Sequence, residues 1–249
     1  MSREPIRDAA CLAVVVPVYN EAATVARVLA AVLLQPSVRQ LIVVDDGSTD
    51  GTPEALRRFA EACRDPRLRI AVHADNRGKG AALRTGFALA EAPAVLIQDA
   101  DLEYDPAEYE ALLAPFRSGT ADAVFGSRFP GLNDPRVVYQ RFFWGNRFLT
   151  FLSNRCTGLR LSDITAGFKV FRLGIVRQLT IEETGFGIDA ELVAKTARLG
   201  CRIEEVPISY RGRTFAEGKK IGWRDGIRII GCILKYSLRP GKREQGRGL

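Results

Sequence analysis

Val95-Leu96-Ile97-Gln98-Asp99-Ala100-Asp101-Leu102-Glu103-Tyr104-Asp105-Pro106 decides how the chain is read. An apolar run of strand type stops abruptly at acids spaced two apart, and Pro106 then opens a helix. Alternate residues of an extended segment share one face, so Asp99, Asp101 and Glu103 are expected to address one point. That point lies at the carboxyl end of a strand, where open parallel sheets hold their ligands. Hard oxygen donors in this number suit Mg²⁺ or Mn²⁺, which usually take one or two carboxylates plus substrate phosphates. Two plainer readings compete. A calcium loop of the EF-hand kind would put Glu110 at its last ligand position, but it requires Gly where Tyr104 stands and a helix in front. Capping of the helix after Pro106 accounts for Asp105 and leaves Asp99 and Asp101 without a reason.

The same punctuation recurs on either side of this stretch. Residues 12–17 read as a buried parallel strand, continuous in apolar residues, with the turn Val18-Tyr19-Asn20-Glu21 after it. Asn20 is the expected cap of a helix running to about Leu34. Residues 41–44 form a second strand, ending in Asp45-Asp46-Gly47-Ser48-Thr49-Asp50-Gly51-Thr52 before a helix over 53–62. A third strand near 68–73 leads into Asn76-Arg77-Gly78-Lys79-Gly80 and a helix over 81–90, and a fifth at 121–125 leads to Gly126-Ser127-Arg128. Strand and helix alternate, which predicts an α/β fold with a doubly wound, mostly parallel sheet flanked by helices. Every strand ends in a polar or glycine-rich signal on one edge, and that edge is the ligand site.

The second half is less regular. Residues 137–156 predict a long helix rich in Phe142, Phe143, Trp144, Phe148, Leu149, Phe151 and Leu152. A loop at 163–168 leads to a short strand at 169–171, and residues 186–199 form a helix with Asp189 and Glu191 near its start. Residues 202–210 alternate like an edge strand, 211–220 form a basic loop, and 221–238 form an amphipathic helix.

Composition narrows the class. The 249 residues, 47% hydrophobic and 26% charged, suit an ordinary globular protein. The net charge is +7, and the tail from Lys235 onward carries five cations against Glu244. A basic tail is compatible with anionic lipid, whereas nucleic-acid binding is not expected because no nucleic-acid motif accompanies the charge. Five scattered cysteines (11, 63, 156, 201 and 232) with no CxxC pair indicate free thiols in a reducing compartment and no zinc site. Residues 1–10 are polar and the run 12–18 is short, so no leader peptide is expected, and no stretch is long enough to cross a membrane. The single histidine, His73, falls in a strand and reads as structural.

The edge has a recognisable chemistry. In Asp45-Asp46-Gly47-Ser48 a carboxylate can accept from a base N–H or bridge ribose hydroxyls, although Asp-Gly with Ser is also ordinary turn chemistry. Gly78-Lys79-Gly80 opens a helix, where backbone N–H groups favour phosphate, but the full Walker and dinucleotide patterns are absent.

Taken in order and at their spacing, these motifs add up to a resemblance. Val16-Pro17-Val18-Tyr19-Asn20-Glu21, the run from Val43 to Thr52, Asn76-Arg77-Gly78-Lys79-Gly80, Gln98-Asp99-Ala100-Asp101-Leu102-Glu103 and Gly126-Ser127-Arg128 resemble an inverting family-2 glycosyltransferase of GT-A fold. The chain is most similar to the polyprenyl-phosphate sugar transferases of the dolichol-phosphate mannosyltransferase type. The resemblance implies that Pro17, Tyr19, Glu21 and Asp46 hold the nucleoside, and that Asp99 and Asp101 bind metal (Mg²⁺ or Mn²⁺) and the donor phosphates. Glu103, where the mannosyltransferases usually carry Gln, is the third candidate ligand. Arg128 and Arg141 match the arginines that meet the acceptor phosphate, and Arg213 with Lys219 or Lys220 matches a basic loop closing over the diphosphate. Asp163-Ile164-Thr165-Ala166-Gly167-Phe168 resembles the family's D-x-T-S-G-F loop with Ala166 in place of Ser.

One catalytic domain is then expected: a nucleotide-sugar half over 12–130, an acceptor half over 131–220, an interfacial helix over 221–238 and a basic tail over 239–249. The implied reaction moves a hexosyl group from a nucleoside diphosphate-sugar (GDP-mannose or a UDP-sugar) to a polyprenyl phosphate with inversion. A phosphate acceptor needs no general base, because it is mostly dianionic at neutral pH. An alcohol acceptor needs one, and Asp163 or Asp189 is then the candidate. A sugar nucleotidyltransferase, or a binder that does no chemistry, would share the donor motifs. The aromatic helix around Trp144 and the helix 221–238 suit a membrane interface, so the expected location is the cytoplasmic leaflet, as a peripheral protein.

Overall fold

Continuous apolar, β-branched runs become strands in the computed structural model, which describes residues 4–129, 140–212 and 223–238. They are β1 (Leu12–Val18), β2 (Val38–Asp45), β3 (Leu68–Val72), β4 (Ala94–Ile97), β5 (Ala123–Ser127), β6 (Lys169–Arg172) and β7 (Ile203–Pro207). They form one sheet in the order β3-β2-β1-β4-β6-β5-β7. β1 is parallel to β2 and β4, β2 to β3, and β5 to β7. β6 runs antiparallel between β4 and β5, so the expected strand at 121–125 does not pair with β4 directly. The reversed β6 brings its amino end, and the loop before it, to the edge where the other strands finish.

Helices α1 (Val25–Leu33), α2 (Thr52–Cys63), α3 (Lys79–Leu89), α4 (Tyr109–Arg117), α5 (Gln140–Thr157), α6 (Leu173–Val176), α7 (Ile188–Arg198) and α8 (Trp223–Leu238) cover both faces. Val14, Val16, Leu41, Val43 and Leu96 pack with α1 and α4 on one side, while Ala13, Val15, Ile42, Val44 and Val95 pack with α3, α7 and α8 on the other. With both faces apolar, side-chain alternation cannot set the register. The strand ends can: a one-residue slip would draw the half-buried Asp99 into the core, and an isolated buried charge is far costlier than any one apolar contact is favourable.

Two local expectations fail. Asn20 does not cap α1. It is left-handed at φ 54, its Oδ1 accepts from Thr49 N at 2.8 Å, and the helix starts behind Thr24. The expected extended face through Glu103 is also absent. β4 stops at Ile97, and Leu102 adopts φ 63, which turns the chain between Asp101 and Glu103.

Helix α5 packs Leu149, Leu152 and Cys156 against the core, yet it also buries polar residues and exposes aromatic ones. Asn146, Thr150 and Ser153, spaced to share one face, are buried, whereas Trp144, Phe148 and Phe151 are 67%, 56% and 66% exposed. No helix among the described residues is long and apolar enough to cross a membrane.

Candidate active site

The loops after β1 and β2 are stitched together by short polar side chains. Asn20 N donates to Ser48 Oγ at 3.0 Å, Glu21 N to Thr52 Oγ1 at 2.9 Å, and Ser48 N to Asp45 Oδ1 at 3.1 Å. Pro17 is half-buried, Tyr19 is exposed, and Glu21 Oε2 accepts from the Thr24 hydroxyl at 2.8 Å. Asp46 turns toward the glycine loop. It is 2% exposed, and it accepts from Arg77 N at 3.1 Å, from Gly78 N at 2.6 Å and across 2.6 Å from His73 Nδ1. Its place in the fold is to anchor the glycine loop. The neighbouring Asp45 keeps one oxygen, Oδ2, buried without a partner among the described residues. In the pair Asp45-Asp46, the first acid therefore carries the unmet acceptor.

Gly78 and Gly80 open α3 against the backbone of Glu183 and Thr184. A Cβ at Gly80 would run into the Glu183 carbonyl, and Gly78 sits at φ 88. Between them Lys79 reaches Asp99, with Nζ 2.6 Å from Oδ1. Burial works against the Lys79 charge, but Asp99, Asp189 and Asp101 together hold its ammonium above the usual lysine range. Asp189 also accepts from the buried Lys169 at 2.6 Å. Gly167 packs closely here: a Cβ would come 2.5 Å from Asp99 Oδ2 and 2.8 Å from the Tyr104 ring, so those side chains would have to shift.

These carboxylates fit a divalent cation. Asp99 already pairs with one positive charge, the ammonium of Lys79, on which Asp189 and Asp101 also act, and hard anionic oxygen is the donor type Mg²⁺ and Mn²⁺ prefer. No three His, Cys, Asp or Glu side chains are gathered as a complete cage among the described residues. An ion here would rely on one or two carboxylates plus ligand phosphates, the usual habit of Mg²⁺. Glu103 N donates to Asp101 Oδ1 at 3.2 Å, and Glu103 Oε2 accepts from Tyr210 OH at 2.9 Å.

Arg128, at the end of β5, is held by Asp163 from the loop before β6. Nε donates to Oδ2 at 2.7 Å and Nη2 to Oδ1 at 2.9 Å, a bidentate pair in which the Asp163 side chain is 0% exposed. Nη2 also donates to Thr165 Oγ1 at 2.8 Å, while Nη1 has no partner among the described residues. Asn146 Nδ2 donates to Asp163 Oδ1 at 2.8 Å, and Thr165 N does so at 3.1 Å. Burial tends to raise the Asp163 carboxyl, but Arg128 prevails and holds it below the usual carboxylate range. The pair fixes the Arg128 side chain in one orientation.

Thus Lys79, Asp99, Asp101, Asp189, Arg128 and Asp163 all lie along the edge where the strands end. The Arg141 side chain, and Arg213, Lys219 and Lys220, lie outside the described residues. Sequence reading missed Asn146, Lys169, Glu205 and Tyr210. Asn146 was legible as one of three polar residues at helical spacing inside an aromatic helix. Glu205 accepts from Ser162 N and Asp163 N at 2.8 and 3.1 Å, and nothing local in the sequence announces it.

The sequence model described as glycosyl transferase family 2 matches residues 13–180. An undecaprenyl-phosphate mannosyltransferase of Micrococcus luteus is 34% identical over 87% of this chain and 90% of its own length. A dodecaprenyl-phosphate galacturonate synthase of Rhizobium johnstonii is 28% identical over 92% of this chain and 69% of its own. In fold the chain is similar to glucosyl-3-phosphoglycerate synthase of Mycobacterium tuberculosis, crystallised with Mn²⁺, UDP-glucose and phosphoglyceric acid. The TM-score is 0.69 at 24% identity, covering 96% of this chain and 83% of the other. A GT-A sheet with its acids, glycine loop and arginine on one edge, and a family match over most of the chain, agree that this is a glycosyltransferase of family 2.

Proposed function

We propose that this chain transfers a hexosyl group from a nucleoside diphosphate-sugar to a polyprenyl phosphate, with inversion, while resting on the cytoplasmic face of a membrane. The observation that carries the reading is the pairing of Arg128 with Asp163. It leaves a cation facing the acceptor side and removes the carboxylate that an alcohol acceptor would need as its base. Asp189, the other base candidate, is tied to Lys169. A dianionic phosphate attacks without a base and instead needs cations to bring two anions together. The relatives named above differ in sugar, mannose against galacturonate, but share a polyprenyl phosphate acceptor in name.

Each part of the edge then has a task. Lys79, at the opening of α3, receives the donor diphosphate, and the loops after β1 and β2 hold its nucleoside through Pro17, Tyr19, Glu21 and the Asp45-Asp46 turn. Asp99 and Asp101 would hold Mg²⁺ or Mn²⁺, which when bound supplies positive charge to the departing diphosphate. Arg128 and Arg141 hold the acceptor phosphate for attack from the opposite face of the sugar, which inverts the anomeric centre. Arg213 with Lys219 or Lys220 closes over the diphosphate. The exposed rings of α5 and the apolar positions Ile227 and Leu234 of α8 meet the membrane surface.

Incubation with Mn²⁺, a panel of labelled sugar nucleotides and a short polyprenyl phosphate, followed by organic extraction, tests this. Label should enter the lipid phase with release of a nucleoside diphosphate, and Asp101→Asn should abolish the transfer. Transfer to a soluble acceptor alone, or release of pyrophosphate, would refute the reading.

A further inference from the structure

Arg128 is gripped along its edge by Asp163, but an edge contact alone leaves the guanidinium plane free to rock. Two aromatic rings face it. Its Cζ is 5.0 Å from the centre of the Tyr210 ring and 5.6 Å from that of Phe129, both within cation–π range. Tyr210 is itself anchored. Its hydroxyl donates to Glu103 Oε2 at 2.9 Å, and the next residue, Arg211, donates its N–H to the Glu103 carbonyl at 2.9 Å. Ser209 N donates to Glu108 Oε1 at 2.8 Å, so three bonds fasten this segment to the acidic turn and to Glu108 after it. The Tyr104 ring lies 5.4 Å from that of Tyr210 and 4.9 Å from that of Phe168, closing the far side of the ring.

We propose that Tyr210, fixed by Glu103, is the platform that positions the Arg128 guanidinium for the acceptor phosphate, and that Glu103 serves this pair and not the metal. The proposal rests on the reading of Arg128 as the acceptor-phosphate cation. The chemistry favours such a division. A phenol that donates to a carboxylate gains electron density in its ring, which strengthens the attraction for a cation over its face. Glu103 thereby supports Arg128 without touching it, so the negative charge never competes for the N–H that the phosphate must meet. The left-handed Leu102 is what makes this possible, because it turns Glu103 out of line with Asp99 and Asp101 and toward the exit of β7.

Three variants test the idea: Tyr210→Leu removes the ring, Tyr210→Phe removes the hydroxyl, and Glu103→Gln keeps the shape while removing the charge. Binding of a short, water-soluble prenyl phosphate is measured by calorimetry, and Mn²⁺ binding in the presence of nucleoside diphosphate by electron paramagnetic resonance. Tyr210→Leu should weaken prenyl phosphate about tenfold, with smaller losses in the other two, and the Mn²⁺ midpoint should stay within about twofold in all three. A tenfold weaker Mn²⁺ midpoint in Glu103→Gln, or unchanged prenyl phosphate binding in Tyr210→Leu, would overturn the proposal. A stability cycle on Tyr210→Leu and Arg128→Met separates this inference from the function it rests on. If wild type binds no prenyl phosphate, the acceptor assignment fails. Coupling of about fivefold or more in the unfolding constant still upholds the platform, and additive effects reject it. Should Tyr210→Leu not fold, the same criteria apply to Tyr210→Phe with proportionately smaller shifts.

Discussion

Replacing Asp163 by Asn keeps the shape of the side chain and deletes its charge, leaving the guanidinium of Arg128 half-enclosed with no counter-ion. Asp163 is 0% and Arg128 17% exposed, so water can do little to compensate. Breaking a buried pair from one side costs about 3–5 kcal/mol, against about 0–1 kcal/mol for an exposed pair. At about 2–4 °C per kcal/mol for a chain of this size, the melting temperature should fall by about 6–20 °C. Urea unfolding followed by circular dichroism, alongside thermal melts, reads the effect. The double variant Asp163→Asn/Arg128→Met has no orphaned charge and should recover part of the loss. The pH dependence has a definite sign. The folded carboxyl lies below its unfolded value of about 3.9, so its stabilisation is present above that value and lost as pH falls through the folded one. The gap between wild type and Asp163→Asn should therefore begin to close only below about pH 4. A single variant within about 1 kcal/mol of wild type, or a double variant less stable than the single, would refute the buried-pair account.

Other consequences are quicker to check. Gly80→Ala puts a methyl group into the Glu183 carbonyl and should weaken sugar-nucleotide binding at least about tenfold in calorimetry, because the glycine loop must shift. Replacing Trp144, Phe148 and Phe151 together by Ser should leave the melting temperature nearly unchanged, since all three are exposed, while cutting recovery on anionic liposomes at least about tenfold. Burial, helped by Glu183, pushes the Cys232 thiol up to about 11, so iodoacetamide at pH 8 should label the half-buried Cys63 and Cys201 well before it, as peptide mass spectrometry would show.

Much of the fold was legible because the strands of a covered sheet are apolar on both sides, so 12–18, 41–45 and 94–97 stand out against polar surroundings. The ligand edge was legible for the same reason: a run of that kind does not continue past acids such as Asp46 and Asp99. What escaped depends on partners distant in sequence. Nothing within 169–172 says that this strand will lie reversed between two others, since pairing is chosen by neighbours and not by the strand itself. Asp45 and Asp46 look interchangeable on paper. Only the packing of His73 and the glycine loop draws the second acid inward. Spacing alone puts Glu103 on the extended face of Asp99 and Asp101, and a single left-handed residue, Leu102, undoes that geometry.

The exposed rings of α5 have a practical side. Three large rings standing in water make a patch that attaches to column matrices, collects detergent monomers and gathers molecules into loose clusters as concentration rises. Apparent mass by gel filtration in plain buffer will then track stickiness before it tracks stoichiometry. A trace of mild detergent, enough to coat one helix, is the condition under which the size of the particle becomes meaningful.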